Sequence, residues 1–85
     1  MRHAGPAALD ALEPLLARLR ALPGLKETAR GVFYRKSRAF LHFHEDPAGL
    51  FADARLGGED FTRLAVSTDT DREELLRRVA AALDA

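Results

Sequence analysis

The sequence predicts a two-layer α+β domain: a four-stranded antiparallel meander with two helices on one face, in the order αββββα. Three observations predict it. Leucines recur at three- and four-residue spacing early in the chain, apolar and polar residues alternate from Gly31 onward, and a helix-capping signature precedes a second apolar stripe near the end. Two helices with single apolar stripes need one sheet face to cover, which sets the layering.

In "AALDALEPLLARLRALPG", Leu9, Leu12, Leu15, Leu16, Leu19 and Leu22 form one helical stripe. Pro14 removes a backbone donor there, so the helix either kinks at Pro14 or starts near it, and Pro23-Gly24 end it. "GVFYR" and "RAFLHFH" then read as two strands joined across Lys36-Ser37. "EDPAG" is the next turn, "LFADARL" the third strand, "GGED" a break and "FTRLAVST" the fourth strand. "TDRE", Thr70 to Glu73, has capping-box spacing, and Leu75, Leu76, Val79 and Leu83 follow on one helical face.

At 85 residues the chain is a single domain, 1–85, with no room for a second one. With no cysteine it has neither disulfides nor a thiolate metal site, so a packed core must hold it, helped by self-association. The N-terminal "MRHAGPAALDAL" builds no apolar run, which argues against a signal peptide or membrane span and makes a cytoplasmic location the expectation. The 13 basic residues balance 13 acidic ones, so whole-chain steering toward nucleic acid or an acidic membrane is not expected. Charge is nevertheless uneven: Lys26, Arg30, Arg35, Lys36 and Arg38 gather where only Glu27 opposes them.

With Lys36-Ser37 as a two-residue turn, Phe33 would face Phe40 and Val32 would face Leu41. Alternation then assigns Val32, Tyr34, Ala39, Leu41 and Phe43 to the core, together with Leu50, Ala52, Ala54, Leu56, Leu64 and Val66. The opposite face would carry Phe33, Arg35, Arg38, Phe40, His42, His44, Phe51, Asp53 and Arg55, and these nine are the candidate binding surface. Three phenylalanines are too many for a face that only meets water.

Several chemistries fit such a face. A homodimer or protein partner burying Phe33, Phe40 and Phe51 behind a histidine and arginine rim is the leading expectation, a non-catalytic interaction module. Nucleic acid is the alternative, with aromatics stacking on bases and Arg35, Arg38, Arg55 and Arg63 on phosphates; zero net charge disfavours it. A further alternative is a small enzyme or metal site centred on His42 and His44, which project to one side of a strand and would need Asp53, Glu45 or His3 to complete a ligand set. No nucleophile motif or phosphate loop accompanies them, so no catalytic residue, metal ligand set or cofactor is assigned, and the chain reads as a binding module before an enzyme.

The order helix, meander, helix, with "LPG" before the sheet and "VFYRKSRAFLHF" inside it, resembles a small bacterial protein family of unassigned function and, more distantly, the MmcQ/YjbR group. That resemblance implies a small α+β sheet with helices on one side and, since some members of the group have been proposed to bind DNA, adds weight to the nucleic-acid alternative. The chain departs from the group in having no tryptophan, no helix after the third strand and no terminal Ser-Tyr pair, and no functional residue carries over.

Overall fold

The computed structural model describes residues 1–84, so Ala85, the last residue of the expected domain, lies outside the description. The chain runs β1 (Arg2–His3), α1 (Pro6–Arg20), β2 (Lys26–Ala29), β3 (Val32–Arg35), β4 (Arg38–Asp46), β5 (Gly49–Ala54), β6 (Thr62–Ala65) and α2 (Asp69–Asp84). It is an α+β fold with two helices and an antiparallel sheet, but the sheet has six strands where four were expected. Its order is β2-β3-β4-β5-β6, and β1 pairs with β4 through Arg2↔Glu45 and His3↔His44. β3 pairs with the first part of β4 and β1 with its last part, while β5 pairs along Leu41 to Asp46.

α1 begins at Pro6, whose fixed φ suits a first helical position, and continues through Pro14 as one element, so Pro14 does not mark its start. Pro14 sits on the exposed side while Leu12, Leu15, Leu16 and Leu19 are buried. A charged seam ties α1 to the start of the sheet: Arg20 donates to Glu13 and Glu27, and Arg30 donates to Asp10 and Glu13. The Arg20 and Arg30 guanidiniums together hold the Glu13 carboxyl down to about 2.

The β3–β4 hairpin decides which side chains reach each face. Lys36 and Ser37 both adopt positive φ, 50° and 67°, the conformation of the two central residues of a primed turn whose twist matches its flanking strands. Arg35↔Arg38 and Tyr34↔Ala39 therefore pair as expected. The register then shifts: Phe33 opposes Leu41 and leaves Phe40 without a partner residue, a β-bulge. The bulge inserts one residue into the alternation, so Phe40 and Leu41 are both buried, and Phe33 joins Leu41 and Phe43 on the core side. Val32, Tyr34 and Ala39, expected in the core, are only half-buried and alternate to the other face.

α2 is capped two residues earlier than "TDRE" suggests. Thr68 Oγ1 accepts from the Asp71 N–H at 3.0 Å and Asp71 Oδ2 accepts from the Thr68 N–H at 3.2 Å, a reciprocal pair that satisfies two otherwise free amides. Glu73, freed from that task, pairs with Arg18 and joins the helices. Leu75, Leu76 and Val79 from α2 and the four buried leucines of α1 share one core cluster with Phe33, Phe40, Leu41, Phe43, Ala52, Ala54 and Val66. No helix among the described residues is long and apolar enough to cross a membrane.

Candidate functional site

The sheet face opposite that cluster is polar at its centre. Cross-strand pairing sets His3 beside His44, His42 beside Asp53 and Asp53 beside Arg63, so β1, β4, β5 and β6 each contribute a side chain to one patch. His42 Nε2 lies 3.6 Å and His44 Nε2 3.1 Å from the same oxygen, Asp53 Oδ2. The His3 ring stacks on His44 with centroids 4.7 Å apart, and His42 meets His44 edge-on at 4.9 Å. Phe61, from the connection between β5 and β6, closes against His42 at 5.0 Å, and the Arg55 guanidinium lies 4.4 Å from the Phe61 ring centroid.

Asp53 is the centre of this patch. It is only 8% exposed, and Arg63 grips it with two hydrogen bonds of 2.7 Å, Nε to Oδ1 and a terminal nitrogen to Oδ2. The Arg63 guanidinium holds the Asp53 carboxyl below the usual carboxylate range, against the opposing effect of burial. For His42, burial is the largest influence and pushes its pKa down; the neighbouring His44 adds to this, while Asp53 pulls the other way. His42 is therefore predisposed to the neutral form that ligates metals.

His44 stands out further. Its Nε2 is buried and is the sole buried side-chain polar atom among the described residues without a hydrogen bond. The 3.1 Å approach to Asp53 Oδ2 is an ion-pair distance, but it lies off the direction a ring N–H requires. A buried nitrogen left in that condition is costly unless something else meets it. His42, His44 and Asp53 each offer one ligand atom within 4.8 Å of the others.

Of the nine candidate surface residues, the structure gathers His42, His44, Phe51 and Asp53 on this face, with Arg55 at its margin. It removes Phe33 and Phe40, which are 1% and 3% exposed in the core, because the bulge at Phe40 shifts the alternation the surface was read from. Arg35 is also displaced: it donates to the Ala82 and Leu83 carbonyls at the end of α2, on the helix side, and Arg38 pairs opposite it. The nine surface candidates do not include Arg63, which the sequence offers only as a phosphate contact in the nucleic-acid alternative, or Phe61. Arg63 is detectable, since the fourth strand pairs next to Asp53, and Phe61, two residues before it, opens the expected strand "FTRLAVST", although the structure starts β6 one residue later, at Thr62. Comparison of the chain with protein-family models, with curated proteins and with solved structures finds no match.

Proposed function

We propose that this domain binds a divalent late first-row transition metal ion, zinc being the best suited, through His42 Nε2, His44 Nε2 and Asp53 Oδ2, with His3 rotating in as a fourth ligand. The observation that carries the reading is the convergence of two imidazole nitrogens on one carboxylate oxygen, one of those nitrogens buried without a hydrogen bond. Ligand atoms around tetrahedral zinc lie about 3.3 Å apart; the 3.1 and 3.6 Å separations to Asp53 Oδ2 are close to that, and all three ligand atoms lie within 4.8 Å of one another. Arg63 donates to both carboxylate oxygens, and with Oδ2 turned to the metal its Nε would keep Oδ1 and orient the carboxylate, as outer-shell partners of metal ligands do. Side-chain exposures of 22%, 13% and 11% for His42, His44 and Asp53 leave little room for a substrate, which favours a structural or sensing ion over a catalytic one. The ion would fasten β1 to β4 through His3 and His44.

The test is calorimetric titration with zinc, backed by thermal melts. Wild type should bind one ion, and at a hundredfold excess over the dissociation constant the fold gains about 2.7 kcal/mol, or roughly 10–20 °C in melting temperature for a domain of this size. His44→Ala and Asp53→Asn should each abolish that gain. Absence of binding of zinc, nickel or cobalt by wild type at neutral pH refutes the reading.

Self-association through the same face is a second reading, carried by Phe61, which is 38% exposed at the edge of the patch. With Phe33 and Phe40 in the core, Phe51 and Phe61 supply its apolar contacts. Sedimentation of wild type and Phe61→Glu decides it: a dimer broken by the substitution supports it, and a wild-type monomer at high micromolar concentration removes it.

A further inference from the structure

A second site, centred on other residues than the histidine patch but sharing Arg55 with its margin, lies at the end of the sheet where the β3–β4 hairpin meets the β5–β6 connection. A hollow of about 280 Å³ there is lined by Arg35, Lys36, Arg38 and Arg55, with Ala39, Phe40, Leu56 and Gly58 completing the wall. Among the described residues, four cations line it and no carboxylate does. Elsewhere six arginines, Arg2, Arg18, Arg20, Arg30, Arg63 and Arg77, each pair with an acidic side chain, while Arg72 donates to the Val66 and Ala11 carbonyls. Among the described residues, the three arginines of the hollow make no such pair.

Those arginines are nonetheless held in place, by backbone carbonyls. Arg38 donates to the Gly58 carbonyl at 3.0 Å, Arg55 to the Ala39 and Glu59 carbonyls at 2.9 and 2.7 Å, and Arg35 to the Ala82 and Leu83 carbonyls at 3.0 and 3.3 Å. A neutral carbonyl fixes a guanidinium without cancelling its charge. Each guanidinium has five N–H donors, so Arg38 keeps four and Arg55 three for a ligand. Fixed, uncancelled arginines beside a lysine are the arrangement that recognises tetrahedral oxyanions, since part of the ordering cost of binding is met in advance.

We propose that this hollow binds the phosphate group of a small phosphorylated molecule, with Arg38, Arg55 and Lys36 on the phosphate oxygens, Arg35 behind them and Leu56 and Ala39 against the rest of the ligand. Its size, just below the usual range of ligand cavities of about 300–1,000 Å³, suits a compact molecule. A nucleic acid strand needs a track of cations along its backbone, and these are gathered at one end of a chain whose net charge is zero.

The experiment is an NMR titration of the full chain with pyrophosphate, with a short single-stranded oligonucleotide as the second arm, each at low and high salt. Pyrophosphate should give saturable shifts confined to residues 35–39 and 55–58, and Arg38→Gln should weaken binding by about tenfold, the loss of one charged contact worth about 1.4 kcal/mol. Arg38 is exposed, so its replacement leaves the core intact, and Lys36→Gln is a second fold-neutral variant. Arg38→Lys, which keeps the charge and loses the fork, should fall between wild type and Arg38→Gln. No saturation by about 10 mM pyrophosphate, a range that covers even affinities weaker than millimolar, overturns the proposal. So do shifts unchanged in both Gln variants, or an oligonucleotide that binds while pyrophosphate neither binds nor competes.

Discussion

The bulge at Phe40 makes a quantitative prediction, because a regular hairpin and the bulged one bury opposite sets of side chains. In a regular hairpin Val32 and Tyr34 would be core residues, and Phe33 and Phe40 would stand beside the histidines. In the bulged hairpin Phe33 and Phe40 are 1% and 3% exposed, while Val32 and Tyr34 are half-buried. Replacing a fully buried phenylalanine with alanine removes its transfer free energy and leaves a cavity, costing about 3–5 kcal/mol. A chain of 85 residues has roughly 4–13 kcal/mol of total stability, so Phe33→Ala and Phe40→Ala each consume a large share of it. With a urea slope of about 1.5 kcal/mol per molar, typical of small proteins, the unfolding midpoint should fall by roughly 2–3 M or the variant should fail to fold. Val32→Ala and Tyr34→Ala should cost well under half as much. Equilibrium urea unfolding followed by circular dichroism checks all four. If Val32→Ala and Tyr34→Ala prove more damaging than the phenylalanine variants, the bulged register is wrong and Phe40 returns to the histidine face.

Two further predictions concern the metal-free protein. His42 has a lowered pKa in the fold, so its contribution to stability is present above about 6.5, its unfolded value, and is lost as pH falls through the lower folded value; Asp53, also lowered, contributes above about 3.9 and is lost below that as its folded value is crossed. Thermal melts from pH 8 to pH 3 in chelator should decline in two stages, the first absent in His42→Asn, and a melting temperature flat between pH 7 and pH 5 in wild type contradicts the assignment. Ser37 holds φ at 67°, where a residue with a Cβ is strained, so Ser37→Gly should stabilise by about 0.5–1 kcal/mol in the same urea assay, and a loss of stability would argue against the primed turn.

The sequence revealed elements wherever a side-chain period is long enough to be counted. Both helices are legible from leucine spacing, because each buries one stripe, and the four strands β3 to β6 from the alternation of apolar and polar residues in the sequence. β2 is not legible: Lys26, Thr28 and Ala29 are exposed, Glu27 is spent on Arg20, and its edge position needs no apolar face. β1 is too short for any period and exists because His3 and Arg2 find partners on β4. The cap of α2 is ambiguous in sequence because "STDTD" offers two threonines with an acid within three residues; in the structure Thr68 caps, and Glu73 pairs with Arg18 instead.

The site divides along the same line. His42, His44, Phe51 and Asp53 were legible as neighbours because β4 and β5 pair without interruption from Leu41 to Asp46, beyond the bulge. Before it, Phe33, Arg35, Arg38 and Phe40 were assigned to the wrong face, since nothing in "RAFLHFHED" marks where an extra residue enters. The same irregularity serves the site. By sending Phe40 and Leu41 into the core together, the bulge keeps an apolar ring from standing beside His42 on its own strand, and Phe61 from a different segment meets His42 instead. Bulges next to functional sites commonly re-aim side chains in this way. The imidazole pair is thus local in sequence, while its carboxylate, its arginine, its third imidazole and its aromatic wall come from residues 53, 63, 3 and 61, so a pair too weak to identify a metal site by spacing becomes a candidate ligand cluster only through the sheet's cross-strand register.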